Sequence, residues 1–367
     1  MKIILIHKAE FPKRPPVISS TLILSELGHD VTLITEGLND YWKEELRRRS
    51  INVHVIENKF IKYKTFGKVL AYLKFKKETF RIVEEYKHTH TSVLVWVEGA
   101  YTIMALGKKL NNFSHILQIQ ELHETSKMQL KAISKVIGTA KAVFMPEYNR
   151  TILYQIWFSL KQRPIVLPNK PYFYPSKEDI EKLETKYAEM LSIFKSKKVI
   201  LYQGQIAATR DLSNYIKAVK ELGGDYCTVL VGNDHNMVSK YKTIDENLVH
   251  INFIPAPDYL LFTSKAYIGI LTYNPNSLNN MFCAPNKIYE YSKHSLPMLG
   301  NDIPGLKYVI EPYNAGIIVN EDNVESIKDA IMKIDSNYGE YVANSARIYT
   351  ELDNVSIIRE TIKDIQI

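Results

Sequence analysis

The feature that most constrains the fold is an alternation that runs through the chain twice. Short runs rich in Ile, Val and Leu occupy residues 3–7, 31–35, 53–57, 93–98, 116–121, 142–146 and 165–168. Most lack an in–out alternation, as expected of strands buried on both faces of a parallel sheet. Helix-like stretches separate them, at 19–27 (ending at Gly28), 41–49 and 66–86. The pattern then restarts, with apolar runs at 198–202, 227–231, 248–254, 267–273, 297–299 and 316–319 and helical segments at 212–222, 288–294 and 324–334. Strands alternating with helices imply α/β architecture with parallel sheets. Between the two sets lies Leu-Pro-Asn-Lys-Pro-Tyr-Phe-Tyr-Pro at 167–175, where three prolines within nine residues break regular structure. A hinge there divides the 367 residues into two doubly wound, Rossmann-like domains, 1–170 and 171–344, facing across a cleft. With 46% hydrophobic residues, each half can bury its own core. Ligands of such sheets bind beyond the carboxyl ends of the strands, so the residues that follow each run are the ones to read.

Composition narrows the partners. The formal charge of +7 and a pI of about 9.0 suit phosphate-bearing partners, whether a nucleotide, an anionic lipid surface or nucleic acid. Cys227 and Cys283, the two cysteines, stand in no metal or redox spacing, which reads as a reduced, cytoplasmic setting. The first apolar run, 3–6, is far too short for a signal peptide. No segment approaches the roughly 18 consecutive apolar residues of a membrane span, so the expectation is a soluble or peripherally attached protein. No G-x-G-x-x-G follows the first strand, which weighs against a dehydrogenase. No Asp-x-Asp metal motif is present, and neither a metal nor a cofactor is expected.

Three segments of the second half carry candidate chemistry. The first is Cys-Ala-Pro-Asn-Lys-Ile-Tyr-Glu-Tyr at 283–291, followed by Leu-Pro-Met-Leu-Gly-Asn-Asp-Ile-Pro-Gly at 296–305. It reads as a turn entering a helix, with outward N–H groups around Asn286 and Lys287 that suit a diphosphate. Glu290 lies four residues beyond Asn286, on the same helix face, where a carboxylate can accept from ribose hydroxyls. Spacing alone fits an amphipathic helix with a surface Glu equally well. The second segment is Leu-Tyr-Gln-Gly-Gln-Ile-Ala-Ala-Thr-Arg-Asp at 201–211. Gly204 lets a ligand approach the backbone, and Arg210 either bridges phosphate oxygens or pairs with Asp211. The third is Val-Gly-Asn-Asp at 231–234 with Phe-Ile-Pro-Ala-Pro at 253–257.

Together these segments resemble the retaining glycosyltransferases of family 4, most firmly over about residues 198–320. The resemblance implies a GT-B fold, with a last helix at about 345–367 crossing back onto the first domain. It implies that Glu290 binds the nucleotide ribose, and that Pro297 starts a strand running into a Gly-rich loop at 300–305. Gly204 and Arg210 match the Gly at the strand end and the basic residue before the next helix. Gly232, Phe253 and Ile254 match the loops that frame the base, although a core role suits Phe253 as well. One position departs from the family pattern. A second Glu is usual eight residues before the first, and here Phe282 stands in its place. Sugar contacts then fall to main chain near Cys283 and Ala284, or to Asn279 and Asn280.

The first half is expected to hold the acceptor. Its first loop, 8–16, lacks the family's glycine pair. Glu98 and Gly99 end one strand, and Gln-Ile-Gln-Glu-Leu-His at 118–123 ends another. The latter is similar to a His-Glu-Leu segment of many relatives, with Glu121 at the Glu and Gln120 in place of the His. Glu98, Glu121 and His123 are the acceptor-side candidates, with Glu121 or His123 as proton acceptor; His123 capping the next helix is the structural alternative. Between Trp42 and His88 the chain has thirteen Lys or Arg against six Asp or Glu. Lys59, Lys62, Lys64, Lys68, Lys74, Lys76 and Lys77 are interleaved with Phe60, Tyr63, Phe66, Tyr72 and Phe75. Such a stretch suits an anionic bilayer, or a solvated helix face over core aromatics. No nucleic-acid motif accompanies the charge.

The implied reaction moves a sugar from a nucleoside diphosphate donor, a UDP-sugar, with retention, to a saccharide or lipid-linked saccharide in surface polysaccharide assembly. Arg210 and Lys287, with the helix N-terminus, would neutralise the leaving group. A nucleotide-sugar 2-epimerase and a non-catalytic nucleotide-sugar binder are the alternatives, and Phe282 keeps the second of these open.

Overall fold

The structure is a computed structural model in which residues 1–57, 64–174 and 177–365 are described. The chain forms two compact units, Met1–Phe173 with Asp353–Ile367, and Tyr174–Leu352. Each is built on one parallel sheet flanked by helices, the doubly wound α/β architecture expected from the repeated alternation.

The first unit contains β1 (Lys2–Glu10), β2 (Asp30–Gly37), β3 (Asn52–Val55), β4 (Val93–Glu98), β5 (His115–Gln118), β6 (Ala142–Met145) and β7 (Ile165–Val166), in the order β3-β2-β1-β4-β5-β6-β7. β1 shows why non-alternating runs make such strands. Ile3, Ile4, Leu5 and Ile6 are all fully buried, and Ile3 and Leu5 share a core with Leu22, Trp96 and Ile116. The stretch at 8–16 expected as the first loop is mostly regular. β1 runs to Glu10, Phe11–Lys13 is a 3-10 turn, and Pro15 and Pro16 begin the Pro15–Glu26 helix. Proline suits that position, where an N–H has no intrahelical acceptor. β5 stops at Gln118 rather than continuing to Glu121. Beyond it the carbonyls of Gln120 and Leu122 accept from the Arg150 and Tyr154 side chains instead of from a neighbouring strand.

The second unit contains β8 (Lys198–Gln203), β9 (Tyr226–Val231), β10 (Val249–Ile251), β11 (Ile268–Leu271), β12 (Met298–Asn301) and β13 (Gly316–Val319), in the order β10-β9-β8-β11-β12-β13. The expected Gly-rich loop at 300–305 is not a loop. Gly300 lies within β12 and Gly305 within the Pro304–Ile310 helix, leaving a two-residue connection. A Cβ on Gly305 would stand 2.4 Å from the Cys283 backbone nitrogen, so its lack of a side chain lets the 282–283 backbone pack against that helix. Residues 345–367 are divided between two helices. Tyr338–Glu351 stays in the second unit, where the Ser345 hydroxyl donates to the Leu296 carbonyl at 2.7 Å. Asn354–Asp364 belongs to the first unit, burying Ile358 and Ile362 in the core that holds Ile3 and Leu5.

Both sheets reverse strand order once, between β1 and β4 and between β8 and β11. Such switch points open a crevice at the carboxyl ends of the strands.

Candidate functional site

In the second unit the switch point gathers the candidates of the second half. Gly204 follows β8 with φ of +135°, and Gly232 follows β9 with φ of +146°. A Cβ on Gly232 would stand 1.8 Å from the Gly204 carbonyl oxygen. One on Gly204 would stand 3.2 Å from the Lys287 Nζ. The two strand ends therefore meet only because Gly232 lacks a side chain, and the positive φ of Gly204 suits glycine where the lysine approaches.

Lys287 is the second residue of the Asn286–Lys293 helix, whose N-cap, Pro285, makes no side-chain cap. Helix geometry leaves the first N–H groups without intrahelical acceptors. The Lys287 Nζ lies 4.4 Å from the Tyr202 ring centroid and 5.8 Å from that of Tyr273. It is buried and has no hydrogen-bond partner. Burial, and then the Arg210 charge, pull its pKa down to about 7. The Arg210 guanidinium sits 4.6 Å from the Tyr273 centroid. The alternative pairing of Arg210 with Asp211 is not made: Asp211 bonds Lys240 at 3.0 Å and Ser213 at 2.6 Å. Two cations on two aromatic faces, with an ammonium lacking acceptors, make a place that an anion would stabilise.

Glu290, one turn along the same helix, is not a surface residue; it is 4% exposed. Its Oε2 accepts from Gln203 Nε2 at 2.7 Å and its Oε1 from the Tyr259 hydroxyl at 2.5 Å. Burial raises its pKa, and the Tyr259 bond, the Lys287 charge and the Gln203 bond oppose that. Phe253 is exposed, whereas Ile254 is buried in a core with Val229 and Phe262 and has only main chain to offer. Ala284 and Phe282 are half-buried and Cys283 is buried. Asn280 is committed to its own turn, donating to the Asn274 carbonyl at 2.9 Å. Asn279, just before it, is half-buried.

In the first unit the switch point brings His7 and Glu98 together as register partners on β1 and β4. Glu98 is fully buried; Oε2 accepts from Gln120 Nε2 at 2.7 Å and Oε1 has no partner. Burial pushes its pKa up to about 8. His7 is buried with both ring nitrogens unpartnered, and burial, then Arg14, pull its pKa down to about 4. Glu121 is exposed and lies 3.7 Å from Arg150. His123 has φ of +60° and is half-buried, and burial lowers its pKa. It does not cap the next helix: Ser126 does, accepting from the Gln129 N–H.

Of the basic, aromatic stretch, Lys59, Phe60, Lys62 and Tyr63 lie outside the described residues, as do the side chains of Lys64 and Phe66. In the Lys64–Thr89 helix Lys68 and Lys77 are exposed beside Val69 and Leu73, while Phe75 is core. Lys74 donates to the Glu57 carbonyl at 3.0 Å, and Tyr72 and Lys76 are half-buried. Among the described residues, no helix is long and apolar enough to cross a membrane, and no three His, Cys, Asp or Glu side chains gather as metal ligands.

With this geometry in hand, comparison with known proteins is specific for one half of the chain. Residues 184–349 match the family described as Glycosyl transferases group 1. That group 1 region contains Gly204, Arg210, Gly232, Phe253, Lys287 and Glu290. No curated protein matches the sequence significantly. By structure, the chain is similar to HepE of Anabaena in complex with UDP and glucose, with a TM-score of 0.70 at 13% identity over 100% of both chains. It is similar to a glycosyltransferase from Rickettsia africae (0.70, 15%, 99% of both chains). It is also similar to a sucrose-phosphate synthase from Thermosynechococcus elongatus (0.68, 14%, 99% of this chain and 97% of that one). These likenesses establish the GT-B fold.

Sequence reasoning did not single out His7, Gln203, Tyr202, Tyr259, Thr263, Tyr273, Arg150 or Tyr154. A signal existed for two of them. His7 and Gln203 are polar residues ending or interrupting apolar runs, at the strand ends where such sheets bind ligands.

Proposed function

We propose that the protein is a glycosyltransferase that moves a sugar from a nucleotide-sugar donor, a UDP-sugar, to a saccharide or lipid-linked saccharide acceptor, with retention. The reading places the donor in the second unit and the acceptor in the first. The observation that carries it is the buried, partnerless Lys287 ammonium beside Gly204, one helical turn before Glu290, within the group 1 region. Lys287, Arg210 and the N–H groups around Ala284 and Asn286 would face the diphosphate, as oriented positive charge that stabilises a departing nucleotide. Glu290 would accept from the ribose, and Gly232, Phe253 and main chain at Ile254 would frame the base. In the first unit, Glu98, Glu121 and His123 would bind the acceptor, with Glu121 or His123 taking the proton. No metal or other cofactor is assigned a part. Work on surface polysaccharide, at the inner face of the cytoplasmic membrane through the exposed Lys68 and Lys77, completes the proposal.

The test is a thermal-shift panel of nucleoside diphosphates and nucleotide sugars on wild type, Lys287→Ala and Glu290→Ala. A ligand that binds only the folded state raises the Tm. The expected result is stabilisation by UDP or a UDP-sugar that both variants lose. No response of wild type to any nucleoside diphosphate would overturn the proposal.

A further inference from the structure

Glu290 is held by a chain of side chains drawn from separate elements. Thr263, fully buried on the Leu260–Lys265 helix, donates its hydroxyl to Gln203 Oε1 at 2.5 Å. Gln203, at the end of β8 and 4% exposed, donates Nε2 to Glu290 Oε2 at 2.7 Å. Tyr259, just before the Leu260–Lys265 helix, donates its hydroxyl to Glu290 Oε1 at 2.5 Å. The Gln203 amide orientation follows from this network, because turning its oxygen toward Glu290 would set two acceptors against each other. Thr263 thus keeps the donor end of Gln203 on the carboxylate.

A carboxylate offers about four acceptor positions, two per oxygen. Tyr259 uses one on Oε1 and Gln203 one on Oε2. One position is left on each oxygen, an arrangement that suits two hydroxyls on neighbouring carbons. We infer that Thr263, Gln203 and Tyr259 are positioning residues that hold Glu290 for a vicinal diol, and so make the site selective for a ribonucleotide over its 2′-deoxy form. The inference rests on the proposed reading that Glu290 faces the ribose of the donor. It adds the source of the selectivity: a carboxylate free to rotate in a buried site would still be acidic but would not present both oxygens together.

The test compares UDP with 2′-deoxy-UDP by calorimetry on wild type, Tyr259→Phe, Thr263→Val and Thr263→Ser; if ADP or GDP binds in place of UDP, their 2′-deoxy forms are used. A hydrogen bond to a charged group implies a wild-type preference of about tenfold or more for the ribonucleotide. Tyr259→Phe and Thr263→Val are expected to shrink that ratio to about threefold or less by weakening the ribonucleotide, while Thr263→Ser, which keeps the hydroxyl, retains it. Equal weakening of both nucleotides, with the ratio unchanged, would mean a merely structural role and overturn the inference. So would a wild type that binds both forms equally, which leaves the donor-site reading standing. A wild type that binds no nucleoside diphosphate removes that reading and the inference with it. Should Tyr259→Phe fail to fold, the Thr263→Val and Thr263→Ser pair gives the same decision.

Discussion

The Lys287 Nζ lies 4.4 Å from the centre of the Tyr202 ring, and no oxygen accepts from it. The ring face attracts the charge, but burial and Arg210 oppose it, leaving the amine poised at a pKa of about 7. An unfolded lysine titrates near 10.5, so between about pH 7 and 10.5 the unfolded chain holds a proton that the folded one lacks. This group therefore lowers stability as pH falls through that window. Lys287→Met is expected to raise the Tm at pH 7 and to weaken UDP by about tenfold or more. An anion recharges the amine, so wild-type UDP affinity falls as pH rises above about 7. Calorimetry in buffers of different ionisation enthalpy is expected to show proton uptake, absent in the variant.

The approach of Gly232 to Gly204 sets a second expectation. A Cβ at 232 would overlap the Gly204 carbonyl oxygen, and φ of +146° is strained for any other residue. Gly232→Ala should cost about 3 kcal/mol or more in urea unfolding, with UDP binding lost in whatever remains folded.

Glu98 makes stability depend on pH in the first unit. Its pKa is raised from 4.5 to about 8, so the folded state keeps a proton that the unfolded state loses over that range. Stability is fully present at low pH and declines as pH rises from about 4.5 to about 8, by at most ~1.4 kcal/mol per pH unit. Glu98→Gln removes the titration, so its Tm should change less than that of wild type between pH 5 and pH 8.

Phe253 separates binding from folding. It is 61% exposed and contributes little to a core. Phe253→Ala should leave unfolding free energy within about 0.5 kcal/mol of wild type. If the ring stacks on the base, UDP affinity should fall about fivefold or more; an unchanged affinity would assign base recognition elsewhere.

The Asn354–Asp364 helix depends on the first unit's core. Ile358 is fully buried there. Ile358→Ala should cost about 2–4 kcal/mol in urea and expose the chain near Asp353 to proteolysis.

The alternation of apolar runs with helical segments was legible because it is local. A strand buried on both faces needs consecutive apolar residues, and β1 and β4 are written that way wherever they pack. Gly204, Arg210, Lys287 and Glu290 stood out for a similar reason, since a strand end followed by a loop and a helix start can be read from neighbouring residues. The ends of elements were less legible. β5 stops at Gln118, and beyond it the Gln120 and Leu122 carbonyls accept from Arg150 and Tyr154, 30 residues or more further on. Phe282 and Gly305 meet through a backbone approach that spacing does not announce.

The sequence by itself determined two parallel α/β units and the order of the groups along each one, since both follow from periodicity and from turn and helix-start residues. The state of those groups was decided by tertiary structure. Glu290 is buried between Gln203, 87 residues earlier, and Tyr259, 31 earlier, and burial beside Arg210 lowers the Lys287 pKa to about 7. His7 meets Glu98 only through the register of β1 on β4. Burial and hydrogen-bond partners set the charge and aim of a side chain, and both are supplied by residues distant in the chain.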